Sequence, residues 1–357
     1  MRAVMEKKYV DANFVVDNKI DRTGLVFRNA LDAPFSINGV YYEDGMYRRL
    51  PESVAKSVNP GVEERHANTS GGRVRFKTNS KRVAISITYP YIYRAPHFCL
   101  TGSAGLDLYV KREGDKERYV ATFVPPVDLK SGYESVKELT GDMVEVTINM
   151  PLYSDVSNLY IGLDEGAELL SPESLLGDAP IVYYGNSITQ GACVSRPGNS
   201  FAAIASREVG YDFVNLGFSG WARGEDEMAE YIADLKMSIF AYDYDHNAPT
   251  VEHLENTHER MFKIIREKNP TLPIIIMTRS SILHPETRKR RIEVIRRSYE
   301  NALAAGDENV YFIDGRTLFP DFVDAATVEG IHSNDLGHTF KAIAIAKVLR
   351  EIIAKKQ

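Results

Sequence analysis

The sequence predicts an α/β protein: an antiparallel β-sandwich over residues 1–175, then a parallel sheet covered by helices over residues 176–357. Two observations carry this reading. Up to about residue 175 the chain alternates polar and apolar residues in short runs, the period of strands with one buried face. After Pro180 apolar runs alternate with amphipathic helical segments, the pattern of βαβ units whose sheet is covered on both faces. A chain of 357 residues is long enough to bury two cores.

The sandwich strands are predicted at Arg73–Lys77, Arg82–Ile87, Leu106–Val110, Tyr119–Val124 and Met143–Ile148, separated by Gly, Asn, Asp and Pro. One short helix is predicted around Pro51–Val58. In the second half, strands are predicted at Ile181–Tyr184, Phe213–Leu216, Ser238–Tyr242, Ile274–Met277 and Val310–Ile313. Helices fall at about 199–209, 225–235, 250–268, 286–305 and 335–354.

Composition narrows the function. Hydrophobic residues make up 44% and charged residues 26%, ordinary values for a globular chain, and the formal net charge of −6 leaves no basic excess for phosphates. Nucleic acid is therefore not an expected partner. The run Arg288-Lys289-Arg290-Arg291 reads as a solvated helix face, because Ile292, Ile295 and Tyr299 supply the apolar side. No apolar run is long enough to span a membrane, and MRAVMEKKYV has no leader-like apolar stretch, so a cytoplasmic location and no membrane partner are expected. Cys99 and Cys193 lie in different halves with no metal-ligand spacing around them, so two free thiols and no metal are expected. His253 and His258 stand five apart on a helix, a spacing that does not make a metal pair.

In parallel sheets ligands bind beyond the carboxyl ends of the strands. The residues past those ends are Ser187 in Gly185-Asn186-Ser187-Ile188-Thr189, then Asn215 to Gly220, then Asp245-His246-Asn247. Glu329-Gly330-Ile331-His332 follows the last strand. A serine at a strand-to-helix turn projects its hydroxyl out of the sheet edge, and a histidine can serve as its base. Taken singly these residues have plainer readings: Ser187 as a helix cap, His332 as a structural histidine, Asn247 and Gly220 as turn residues.

The quartet of Ser187, Gly220, Asn247 and His332 in this order resembles the SGNH, or GDSL-type, hydrolases. The resemblance extends to Asn334-Asp335-Leu336-Gly337-His338 and to Asn247-Ala248-Pro249-Thr250. The first half resembles the β-sandwich that precedes one branch of that family. A Gly-x-Asp-Leu-His motif recurs there, and Gly105-Leu106-Asp107-Leu108-Tyr109 stands here with Tyr in place of His. The resemblance implies a flavodoxin-like catalytic sheet behind a jelly-roll-like sandwich, and a serine esterase with no cofactor. Ser187 is then the nucleophile and His332 the base. The Ser187 N–H, the Gly220 N–H and the Asn247 side chain are then the oxyanion donors. The triad acid of the family usually lies three residues before the histidine, where this chain has Glu329. Asp324 and Asp335 are the alternatives. Asn186 replaces the family's aspartate next to the nucleophile.

Trp221 either lines the substrate pocket or caps a core edge, and His246 is a second pocket candidate. Tyr89, Tyr91, Tyr93 and His97 either face the cleft as a sugar-stacking surface or pack within the sandwich. The implied substrate is a small-molecule or carbohydrate ester with a short acyl group, above all O-acetyl. Rival readings are a lipase, lysophospholipase or thioesterase on the same machinery, and a carbohydrate-binding protein with a degenerate hydrolase domain. A homo-oligomer is compatible with the sequence.

Overall fold

The computed structural model describes residues 15–280, 286–319 and 324–356, so the N-terminal stretch read above for a leader lies outside the described residues. The first half contains β1 (Leu25–Asn29), β2 (Ser36–Asn38), β3 (Tyr41–Glu43), β4 (Met46–Arg48), α1 (Glu52–Val58) and α2 (Pro60–Arg65). It continues with β5 (Arg73–Thr78), β6 (Arg82–Thr88), α3 (Leu100–Ser103), β7 (Leu106–Lys111) and β8 (Arg118–Phe123). β9 (Gly132–Glu138), β10 (Val144–Asn149), β11 (Asn158–Asp164) and β12 (Leu169–Leu170) complete it. One antiparallel sheet runs β1-β11-β6-β9, and the other runs β12-β5-β10-β7-β8 with β2 also paired to β5. The alternation seen in the sequence sends Val74, Phe76, Leu106, Leu108, Val146 and Ile148 from one sheet, and Val83, Ile85, Leu159 and Ile161 from the other, into a shared core.

The second half forms β13 (Leu176–Gly185), α4 (Ser187–Gln190), α5 (Phe201–Val209), β14 (Tyr211–Gly217), α6 (Asp226–Asp234) and β15 (Ile239–Asp243). After these come α7 (Val251–Lys268), β16 (Ile274–Met277), α8 (Glu286–Ala304), β17 (Val310–Ile313) and α9 (Asp335–Lys356). Its five parallel strands lie in the order β14-β13-β15-β16-β17, which is the flavodoxin-like order. Period two splits the interior strand β13: Ile181 and Tyr183 join α5 and α9, while Val182 and Tyr184 join α6, α7 and α8. The order reverses between β13 and β15, so a crevice opens beyond Gly185 and Asp243.

The basic run departs from its sequence reading. Lys289 and Arg290 are exposed, but Arg288 and Arg291 are partly buried. Arg291 donates to the Asp245 carbonyl at 2.6 Å and the Ala248 carbonyl at 2.9 Å. Helical spacing turns residues three apart toward the same neighbour, here the loop after β15. No helix among the described residues is long and apolar enough to cross a membrane.

Candidate active site

Asn186 follows β13 directly and caps α4. Its Oδ1 accepts from the Ile188 N–H at 2.8 Å and the Thr189 N–H at 3.3 Å. That leaves the Ser187 N–H as the first-turn donor its own cap does not take. Ser187 is 8% exposed, so its hydroxyl lies at the floor of the crevice rather than on the surface.

The His332 Nε2 stands 3.0 Å from the Ser187 Oγ. Its Nδ1 makes a short hydrogen bond to the Glu329 Oε1, and its backbone N–H donates to both Glu329 oxygens at 3.2 Å. The same carboxylate thus fixes the ring and the loop that carries it. Partial burial pushes the Glu329 carboxyl up, but the hydrogen bonds from the His332 ring and backbone outweigh it and hold the group below its usual value. Asp335 is engaged elsewhere: its oxygens accept the Ser195 N–H at 2.8 Å and the Ser195 Oγ–H at 2.5 Å. Asp324 is exposed at the start of a short turn.

Gly220 lies in the turn after β14 with φ of 77°, a conformation that glycine adopts without strain. The N–H groups of Ser219, Trp221 and Ala222 are taken by Gln190 Oε1 and the Phe218 carbonyl, which leaves that of Gly220. Asn247 donates one amide hydrogen to the Phe218 carbonyl at 3.0 Å and so braces the same turn. The amide's second hydrogen is then available to a substrate.

The remaining sequence candidates separate. Trp221 is partly buried with its ring over Gly61 of α2; a Cβ on that glycine would fall 1.9 Å from the Trp221 Cγ. Its ring also carries the Arg223 guanidinium at 4.2 Å. His246 has an enclosed Nε2 without a hydrogen-bond partner among the described residues. Burial and the nearby Arg279 guanidinium push its pKa down to about 3, so the ring is neutral. Tyr89 is buried and donates to the Ala104 carbonyl at 2.5 Å. Tyr91 is 47% exposed. Tyr93 packs on Tyr153 and Phe98, and His97 lies with its ring 5.4 Å from that of His332. His338 is structural, because its Nδ1 accepts the Phe201 N–H and its Nε2 donates to the Ala192 carbonyl.

Other residues about the site have no motif to announce them. The Tyr153 hydroxyl donates to the Ser187 carbonyl at 3.0 Å. Gln190 takes the Ser219 N–H on its oxygen and donates from its nitrogen to Asn68 and the Leu152 carbonyl. Both tie the turn of Ser187 to the sandwich. Gln190 has only its placement just after the predicted turn as a sequence signal, and Tyr153, 34 positions before Ser187, has none.

Comparison with known proteins identifies the family. Residues 178–350 match the GDSL-like lipase/acylhydrolase family, and residues 25–169 match the N-terminus of SGNH-hydrolase-type esterases, whose model is named for Gly-x-Asp-Leu-Tyr. Tyr109 therefore fits that motif, a correction to its reading as a departure. A provisionally assigned GDSL-like lipase of Bacteroides ovatus ATCC 8483 is 28% identical, with a TM-score of 0.83 over 92% of this chain and 98% of that one. The salicylyl-acyltransferase SsfX3 of a tetracycline biosynthetic pathway shares the fold at 22% identity and a TM-score of 0.74, covering 93% of this chain and 98% of its own. So does a family two carbohydrate esterase of Clostridium thermocellum, solved with cellohexaose, at 13% identity and 0.61 over 90% of this chain and 99% of its own. No curated protein sequence matches the chain. Matched in both halves and in order, the chain belongs to the SGNH, or GDSL-type, hydrolases that carry an N-terminal β-sandwich.

Proposed function

We propose that the protein is a carboxylic ester hydrolase with a Ser187–His332–Glu329 triad, acting on short acyl groups, above all O-acetyl, carried by carbohydrate. The observation that carries the reading is the line of hydrogen bonds from the Ser187 Oγ through both His332 nitrogens to Glu329. In the proposed reaction the Ser187 Oγ attacks the ester carbonyl carbon while His332 Nε2 takes its proton. Glu329 fixes the tautomer with Nδ1 protonated and stabilises the imidazolium. The carbonyl oxygen becomes an oxyanion, held by the Ser187 and Gly220 N–H groups and the Asn247 amide. Collapse expels the alcohol, which receives its proton from His332. A water activated by the same ring then releases the acid.

Carbohydrate as the alcohol is supported by Tyr93 and Phe98, a pair of rings packed beside Cys193 near the serine, which offer an apolar wall to a sugar face. It is supported also by the carbohydrate esterases among the structures that share the fold. The test is a panel of acetylated sugars and p-nitrophenyl esters of increasing chain length. Turnover should be greatest with acetyl and fall by about 10³ or more in Ser187→Ala, which removes the covalent route. A Ser187→Ala protein with near-normal turnover refutes the nucleophile, and a preference for long acyl chains refutes the substrate class.

A further inference from the structure

Three side chains from distant parts of the sequence meet at the rim of the site. His97 comes from the sandwich loop after β6, Cys193 from the segment after α4, and His332 from the loop before α9. One ligating atom of each lies within 4.8 Å of the other two. Two imidazoles and a thiol are the donor set of borderline-soft divalent ions, with zinc foremost, and they suit neither magnesium nor calcium. Cys193 holds its place with φ of 65°, a backbone conformation that side chains other than glycine's adopt at a cost.

The distances are close to those a metal needs. Tetrahedral zinc with bonds of about 2.0–2.3 Å sets its ligand atoms roughly 3.5 Å apart, so the cluster must close by about 1 Å. His97 is exposed, and its ring can swing inward without moving the core. We propose that His97, Cys193 and His332 form an inhibitory zinc site, in which the metal captures the histidine that serves the nucleophile. The site stands on the cluster alone, while its inhibitory action rests on the triad reading above.

The chemistry balances without an oxidant. The Cys193 thiol gives its proton to solvent as the sulfur–metal bond forms, and the two imidazoles each donate a nitrogen lone pair. His332 must then surrender one hydrogen bond. Ligation through Nε2 gives up Ser187, and ligation through Nδ1 gives up Glu329. Either way the serine loses its base. Spacing in the sequence could not announce the site, because His97 and Cys193 stand 96 positions apart and Cys193 and His332 stand 139 apart.

Cobalt(II) serves as a visible stand-in for zinc, with a non-thiol reductant present to keep the cysteines reduced. One equivalent of cobalt should raise a thiolate-to-cobalt charge-transfer band, and zinc should displace it. Saturating zinc should lower ester hydrolysis at least tenfold, EDTA should restore it, and magnesium should have no effect. Cys193→Ser should lose the band and the inhibition while hydrolysing esters as before. His97→Ala should bind cobalt at least tenfold more weakly. Absence of the band overturns the site, whether or not the chain hydrolyses esters. A band accompanied by undiminished hydrolysis at saturating zinc overturns the inhibition and leaves the triad standing. Loss of hydrolysis that persists in Cys193→Ser also overturns it, since zinc then acts elsewhere. If the chain hydrolyses no ester at all, the band still decides the site and the triad reading alone falls.

Discussion

In the proposed triad, Glu329 is the residue on which the assignment of the acid turns. The sequence offers three carboxylates near the histidine, and spacing alone leaves them open. Asp335 is spent on the Ser195 backbone and hydroxyl, and Glu329 reaches the His332 ring across one turn of loop. The extra methylene of glutamate is absorbed because the side chain curls back over its own loop, where it also accepts the His332 N–H. Glu329→Gln should therefore lower kcat by about 10²–10⁴, since an amide cannot stabilise the imidazolium. Asp335→Asn should leave kcat within a few fold. Its effect should appear as a lower Tm, because it loses charge-assisted bonds to Ser195. Steady-state kinetics and thermal melts on the two variants separate the roles; a fully active Gln variant would remove Glu329 from the triad. The Glu329 carboxyl is held below its usual value, so it stays ionised until the pH falls below that of an ordinary glutamate. An acid limb in kcat/KM at higher pH thus belongs to another group.

The element that carries Ser187, the proposed nucleophile, shows what the sequence does and does not reveal. β13, the turn and α4 are legible because an apolar run, a glycine and a capping residue stand in order. The identity of the cap is explained only by its neighbour across the sheet. Asn186 Nδ2 donates to the Asp243 Oδ1 at 3.2 Å and to the Asp243 carbonyl at 3.1 Å, and Asp243 is in turn paired with buried Lys341. An aspartate at 186 would meet that carboxylate with an acceptor in place of a donor. Asn186→Asp should therefore destabilise the fold by about 1–3 kcal/mol, the usual cost of a buried polar group left without its partner. A melt that shows no loss at neutral pH would mean that Lys341 serves both carboxylates. The helices of the second half are legible to within a few residues because each has an apolar face of helical period. β1, β9 and β11 escape the reading, as do the short β2, β3, β4 and β12. β9 is largely polar, and in β11 the alternating Leu159, Ile161 and Leu163 are interleaved with Tyr160 and Gly162, which offer little polar contrast.

At the scale of the whole molecule, we propose the division at residues 175 and 176 as a boundary between packing layers. The two halves share polar joints that the sequence cannot reveal, because each brings together residues from opposite halves of the chain. Arg49 of the sandwich is 3% exposed and donates to the Gly217 and Asn215 carbonyls, so a sandwich residue steadies the end of β14. The Gly-x-Asp-Leu-Tyr motif forms a second joint. Asp107 is wholly buried, and its oxygens accept from Asn149 Nδ2 at 2.7 Å and from the Gly198 N–H at 2.8 Å. Tyr109 lies against the same glycine, where a Cβ would fall 2.5 Å from its ring. The motif is thus legible as a family signature, but its work becomes visible only when Gly198 is brought to it. Burial pushes the Asp107 pKa up to about 6, against the pull of Asn149, Gly198 and Arg196. The sign of the consequence follows from linkage. Between the ordinary value near 3.8 and about 6, the folded protein holds a proton on Asp107 that the unfolded chain has released. The contribution of this group to stability therefore falls as pH rises through that window, and is constant above it. Asp107→Asn removes the titration and keeps one acceptor oxygen for the joint. Melts of both proteins from pH 4 to pH 8 should show the wild type gaining stability relative to the variant as pH drops from about 6 toward 4, with a constant difference above pH 7. A difference that does not change across the acid range would mean that Asp107 is ionised throughout, with Arg196 at 3.5 Å offsetting the cost of its burial.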